Sequence, residues 1–151
     1  MNKKKIIKNI LLLVFFLATL IAFYGYKEFN RKNESLISST ADFKLKSKDL
    51  IESFSSDEKS SNLKFGGKVI QLFGYIKDIV KDEKGYYTII IGDQSSLSAI
   101  RCSIDSSYSN QAEQLKVNAL IVIKGICTGY NADEMGLGSD VILNRCVVIN
   151  N

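Results

Sequence analysis

The segment from Asn9 to Tyr26 carries no charged side chain, reading Asn-Ile-Leu-Leu-Leu-Val-Phe-Phe-Leu-Ala-Thr-Leu-Ile-Ala-Phe-Tyr-Gly-Tyr. As a helix it would span about 27 Å, close to the hydrocarbon thickness of a bilayer. Lys8 can snorkel at one end, and Tyr24 and Tyr26 stand at the other, where an interfacial aromatic belt belongs. The sequence therefore predicts a membrane anchor over residues 1–26. Lys3, Lys4, Lys5 and Lys8 precede the run, and no acidic residue occurs before Glu28. The positive-inside rule then keeps the N-terminus cytoplasmic and puts the rest of the chain outside. The expected location is the cytoplasmic (inner) membrane, single-pass, with an extracytoplasmic C-terminal domain. A cleaved signal peptide is the rival reading. The long apolar run and the Phe-Tyr-Gly-Tyr boundary, which is not small-x-small, favour an uncleaved anchor. No cysteine precedes Cys102, so no lipid-attachment site lies near this segment.

The flanking lysines also account for the net charge of +4, from 20 basic and 16 acidic side chains. From residue 9 onward the two signs balance. A nucleic-acid binder usually shows a basic footprint on its folded domain, and the count gives none here. Histidine is absent throughout. That removes the usual general base, the commonest zinc ligand and the Ser-His and Cys-His dyads.

Residues 27–41 are polar and aperiodic and read as a linker, leaving 42–151 as one domain. A helix is expected from Ser47 to about Ser61, with Leu50, Ile51 and Phe54 as its apolar stripe. Strand patterns follow over 68–79, 86–91, 97–104, 119–127 and 141–149. Asp82-Glu83-Lys84-Gly85 reads as a turn, with Gly85 supplying a positive φ. The connection 105–118 is polar, with a short helix expected near 111–115. Three strands, a longer connection and two more strands match the five-stranded oligonucleotide/oligosaccharide-binding barrel, the OB-fold. Gly74 inside the first strand suits the sharp coiling such a barrel needs. The expected fold class is mainly β with an N-terminal helix: a five-stranded OB-fold barrel preceded by a transmembrane helix. A small open sheet with one helix is the alternative.

Particular runs carry a resemblance. They are Phe54-Ser-Ser-Asp57-Glu58, Phe65-Gly-Gly-Lys68-Val-Ile and Leu72-Phe-Gly74-Tyr-Ile76-Lys-Asp-Ile79. Leu115-Lys-Val-Asn-Ala-Leu-Ile121-Val-Ile123-Lys-Gly125-Ile-Cys127-Thr-Gly129 completes the set. Together they resemble a bacterial OB-fold family called tRNA anticodon-binding-like, over roughly residues 42–149. The resemblance implies an N-terminal anchor or lipid attachment and contains no catalytic signature. It implies nucleic-acid binding only by analogy of fold.

Candidate chemistry is sparse. Cys102, Cys127 and Cys146 allow at most one intramolecular disulfide. In OB topology the fifth strand lies between the third and fourth, so Cys146 could neighbour Cys102 or Cys127. The favoured reading makes all three small buried hydrophobes. Tyr86, Thr88 and Ile90 share one face of the second strand, and Arg101 and Ser103 the outer face of the third. In OB proteins this surface binds ligand, so Tyr86, Thr88, Arg101 and Ser103 are the candidate ligand-binding residues. Ordinary solvent-facing strand residues are the blander reading. Asp78, Asp82 and Glu83 interleave with Lys77, Lys81 and Lys84, as on a solvated hairpin tip. Asp133, Glu134 and Asp140 flank a Gly-containing loop without the spacing of a calcium loop. No catalytic residue, metal ligand or cofactor is expected. The expected function is a membrane-tethered, non-enzymatic binding module for an envelope protein or a glycan. Nucleic-acid binding is the alternative, disfavoured by the neutral domain charge.

Overall fold

The computed structural model of the chain describes Thr19, residues 36–132 and residues 138–149. The chain divides into two units, Met1–Glu34 and Ser35–Asn151. The predicted anchor lies, Thr19 apart, outside the described residues. No helix among them is long and apolar enough to cross a membrane.

The second unit begins with a short strand, β1 (Phe43–Lys46), and two helices, α1 (Ser47–Ser56) and α2 (Glu58–Phe65). The single helix expected over 47–61 is interrupted at Asp57. Its backbone is extended, and its carboxylate accepts from the Ser60 N–H at 3.0 Å and the Ser60 hydroxyl at 2.7 Å. Asp57 is thus the N-cap of a second helix, with Glu58 favourably placed in the first turn.

Strands β2 (Val69–Lys81), β3 (Tyr87–Ile91) and β4 (Ala99–Ile104) follow as an antiparallel meander. Gly85 makes the first hairpin turn with φ 86°, as expected. A 3₁₀ turn (Ser106–Tyr108) and a one-turn helix, α3 (Ser109–Ala112), precede β5 (Leu120–Asn131) and β6 (Asp140–Val148). The short helix thus falls slightly earlier than expected.

Strand β6 pairs parallel with β4 and antiparallel with β5, and β5 pairs antiparallel with the first half of β2. That closes β2-β3-β4-β6-β5 into a five-stranded mixed barrel of OB type. β1 is an unpredicted sixth strand, parallel to β2 from Phe43↔Ile70 to Lys46↔Phe73. Its Phe-Lys-Leu-Lys alternation is visible in the sequence but only four residues long.

Strict alternation fills the barrel. Ile70, Leu72 and Ile76 of β2, Ile89 and Ile91 of β3, Ile100 and Cys102 of β4, Ile121 and Ile123 of β5 and Leu143 of β6 form one core. Leu50 and Phe54 of α1 and Phe65 of α2 join this core from the barrel's end. Gly74 permits that approach. A Cβ there would stand 2.6 Å from Ile91 Cγ2 and 2.6 Å from Ser47 Oγ.

The segment before β1 is tied down as well. Leu36 is buried. Lys124 of β5 is only 6% exposed, and its ammonium donates to the carbonyls of Ile37 at 3.2 Å and Ser39 at 2.8 Å. Asp42 completes the attachment: its N–H donates to the Val69 carbonyl and its carboxylate accepts from the Val69 N–H.

Two stability measurements follow. Gly74→Ala should destabilise the 35–151 unit by about 1–3 kcal/mol in urea unfolding, the usual range for overpacking. An unchanged midpoint would show that Ile91 and Ser47 yield freely. Lys124→Ala should cost about 1–3 kcal/mol, since it leaves two carbonyls without their donor. It should also speed amide exchange in residues 36–41; unchanged exchange there would refute the strap.

Candidate functional site

The four face residues predicted from sequence are placed as follows. Thr88 of β3 and Ser103 of β4 stand directly opposite each other, and Arg101 stands opposite Ile90. Tyr86 precedes β3, half-exposed, with its N–H donating to Asp82 Oδ1 at 2.8 Å. Strand geometry thus brings Thr88, Arg101 and Ser103 together, with Tyr86 at the hairpin end. Arg101 is engaged already. Its Nε donates to Asp140 Oδ2, and Asp140 Oδ1 accepts from the Ala99 N–H at 3.1 Å. The face therefore offers hydroxyls, one tyrosine and a neutralised cation. Across residues 35–151 there are 13 Lys and Arg against 14 Asp and Glu. Asp133 and Glu134 lie outside the described residues.

A second feature was not anticipated. A cleft of about 820 Å³ opens between α1, the middle of β2, the β3–β4 loop and Asn118, two residues before β5. One wall comes from α1 through Lys48, Ile51 and Glu52. Tyr75 projects from β2 with 60% of its surface exposed, because strand alternation turns it outward between buried Gly74 and Ile76. The opposite rim is the loop carrying Asp93 and Gln94.

Gln94 is held by two bonds from its Nε2, to the Lys77 carbonyl at 3.2 Å and to Asn118 Oδ1 at 2.9 Å. The loop is held further by Lys77, whose ammonium donates to the Ser96 carbonyl. Asn118 sits in the left-handed region with φ 68°, which Asn tolerates better than most residues. The N–H and hydroxyl of Ser95 hold the Asp93 carboxyl below its ordinary value, and Lys48 and Lys77 add to this. The sequence signal for this site was the outward aromatic at Tyr75. Its other walls come from separate segments that only the fold assembles.

The cysteines are unbonded and buried. Burial pushes the Cys146 thiol well above its ordinary value, and the neighbouring Cys102 thiol adds to the shift. Burial also raises Cys127. Raised thiols oppose nucleophilic use at neutral pH.

The sequence profile of the family described as tRNA_anti-like matches residues 1–147. The chain belongs to the tRNA_anti-like family. Among solved structures, this tRNA_anti-like chain is similar to a Klebsiella pneumoniae protein named as a "putative nucleic acid-binding lipoprotein". The two are 16% identical, with 80% of this chain and 100% of that one covered, at a TM-score of 0.57. It also matches asparaginyl-tRNA synthetase from Pyrococcus horikoshii at 19% identity and a TM-score of 0.40. That match covers 58% of this chain and 21% of the synthetase. An OBody, AM3L09, bound to hen egg-white lysozyme matches at 13% identity and a TM-score of 0.43, covering 58% of this chain and 87% of the OBody. No curated protein matches the chain. At 16% identity the likeness to the Klebsiella protein establishes the fold alone.

The thiol shifts fix a pH dependence. Above pH 9.0, the ordinary thiol value, the unfolded chain releases protons that the folded chain retains. The thiol contribution to stability is therefore complete below that pH and is lost as pH rises toward the folded values. Urea midpoints should fall on the alkaline side, and Cys146→Ala should shrink that fall relative to its own neutral midpoint. An identical alkaline slope in the variant would remove Cys146 as a cause.

Proposed function

We propose that the chain is a non-enzymatic binding module, tethered at a membrane by residues 1–26, that presents its OB barrel to a protein or glycan partner in the cell envelope. The observation that carries this reading is electrostatic. The folded unit has no cationic excess, and the arginine on the β3–β4 face is neutralised by Asp140. Polynucleotide binding rests on cations placed to displace counterions from phosphates. A protein or sugar surface needs none. Tyr86, Thr88, Arg101 and Ser103 form the proposed surface on that face. The uncharged run over 9–26 and its lysine flank support the tether and the extracytoplasmic placement of the barrel. The raised thiols and the lack of histidine support a non-catalytic role.

Nucleic-acid binding is the second reading. Its support is the name carried by the Klebsiella protein of the same fold. Titrating the 35–151 unit against fluorescent single-stranded DNA and RNA, at low and moderate salt, separates the two. The expected result is no saturable, salt-sensitive binding. Saturation at about micromolar concentration with a steep salt dependence would replace the first reading by the second.

A further inference from the structure

We propose that the cleft beside Tyr75 is a binding site for a neutral oligosaccharide. This rests on the binding-module reading above and names one ligand class for it, at a place separate from the β3–β4 face. The cleft's volume of about 820 Å³ lies within the range of small-molecule sites. Its chemistry selects the ligand.

The β2 backbone at the cleft is already paired on both sides. The Tyr75 carbonyl accepts from Gly92 at 3.1 Å, the Ile76 N–H donates to Ala119 at 3.0 Å, and the Asn118 N–H donates to Ile76 at 2.8 Å. A peptide cannot be captured there by adding a strand, so the ligand is read by side chains. Among the described residues, no hydrogen bond engages Gln94 Oε1 or Asn118 Nδ2. These are one acceptor and one donor, and the bond between Gln94 Nε2 and Asn118 Oδ1 fixes the two amides relative to each other. The carboxylates of Glu52 and Asp93 add acceptors, and Lys48 adds a donor. With Lys77 held beside the Ser96 carbonyl, two carboxylates balance two ammoniums, and a cleft without cationic excess disfavours a phosphate-bearing ligand.

The remaining element is the exposed Tyr75 ring. The C–H face of a pyranose carries partial positive charge and packs on the negative face of an aromatic ring. Its equatorial hydroxyls are donors and acceptors at once. They suit a rim that offers both an amide N–H and amide and carboxylate oxygens. Asn118 holds this arrangement in a left-handed backbone conformation that few non-glycine residues adopt. Backbone conformations of that kind cluster at ligand sites.

The test uses the full chain in a non-glycosidic detergent, because sugar-headed detergents would compete. Saturation-transfer NMR and calorimetry would probe cellotetraose, maltotetraose and chitotetraose. At least one should bind, with transfer strongest to its ring C–H protons. Tyr75→Ala should weaken it by about tenfold or more, and Tyr75→Phe should keep most of the affinity. Asn118→Gly should weaken binding while preserving the backbone conformation. Leu63→Ser, at an exposed position of α2 outside both surfaces, should leave it unchanged. Binding lost with Tyr86→Ala and kept with Tyr75→Ala would overturn the cleft and retain a glycan-binding module. Failure of all three sugars, with a protein partner crosslinked through the barrel, would overturn the saccharide and retain the module. Failure of the sugars with salt-sensitive DNA or RNA binding by the 35–151 unit would overturn both.

Discussion

The rest of the barrel depends on the close approach that Gly74 allows, where β2 changes partners. One strand must serve three neighbours there. Residues Val69–Tyr75 pair with β5, Ile70–Phe73 also hold β1, and Ile76–Lys81 pair with β3. The handover between partners coincides with a register shift between Ile76 and Asp78. A Cβ at residue 74 would strike both Ile91 of the core and Ser47 at the start of α1. Glycine is thus needed less for backbone freedom than for the close approach of a helix to a strand. That approach seats Leu50 and Phe54 in the barrel's end and removes them from water.

The same approach of α1 to β2 frames the cleft. Beyond Gly74 the outward side of β2 carries Tyr75, whose cross-strand partner Leu120 is also exposed, at 67%. Here α1 and the β3–β4 loop rise on either side, leaving the ring on the wall of a concavity. The loop's position follows from Gln94 and Lys77, whose bonds hold it to β2 and to Asn118. Cleft and barrel therefore share one structural origin.

The strand cores were legible because a period of two is unambiguous in runs such as Ile121-Val-Ile123 and Ile89-Ile-Ile91. Gly85 was legible because a positive φ in a tight turn has few alternatives. The break at Asp57 was missed because Leu50, Ile51 and Phe54 set a helical stripe that Asp-Glu-Lys does not visibly end, although an Asp three residues before Ser60 is a capping signal. β1 was missed because four residues of alternation carry little weight against a polar surrounding. Lys124 reads as an ordinary charged residue in an apolar strand, and its carbonyl partners lie more than 80 residues earlier. Positions on the β3–β4 face followed from alternation alone. The pairing of Arg101 with Asp140 did not, because it depends on a parallel contact between β4 and β6 that arises only on closure.

That pairing changes what the two surfaces can report. Asp140 joins the Arg101 guanidinium to the Ala99 N–H, at the end of the ladder where β6 enters beside β4. Arg101 is therefore part of the barrel's closure as well as of its outer face. Any loss of binding on removing it carries a structural component, because truncating Arg101 leaves the Asp140 carboxylate without its counter-charge. Tyr75 differs. Its backbone closes the β2–β5 ladder, but most of its side chain lies in solvent, and no ion pair involves it. Truncating an exposed ring costs little stability. A binding loss there reports on the ligand, and this makes the cleft, rather than the arginine-bearing face, the surface on which the barrel's role can be read directly.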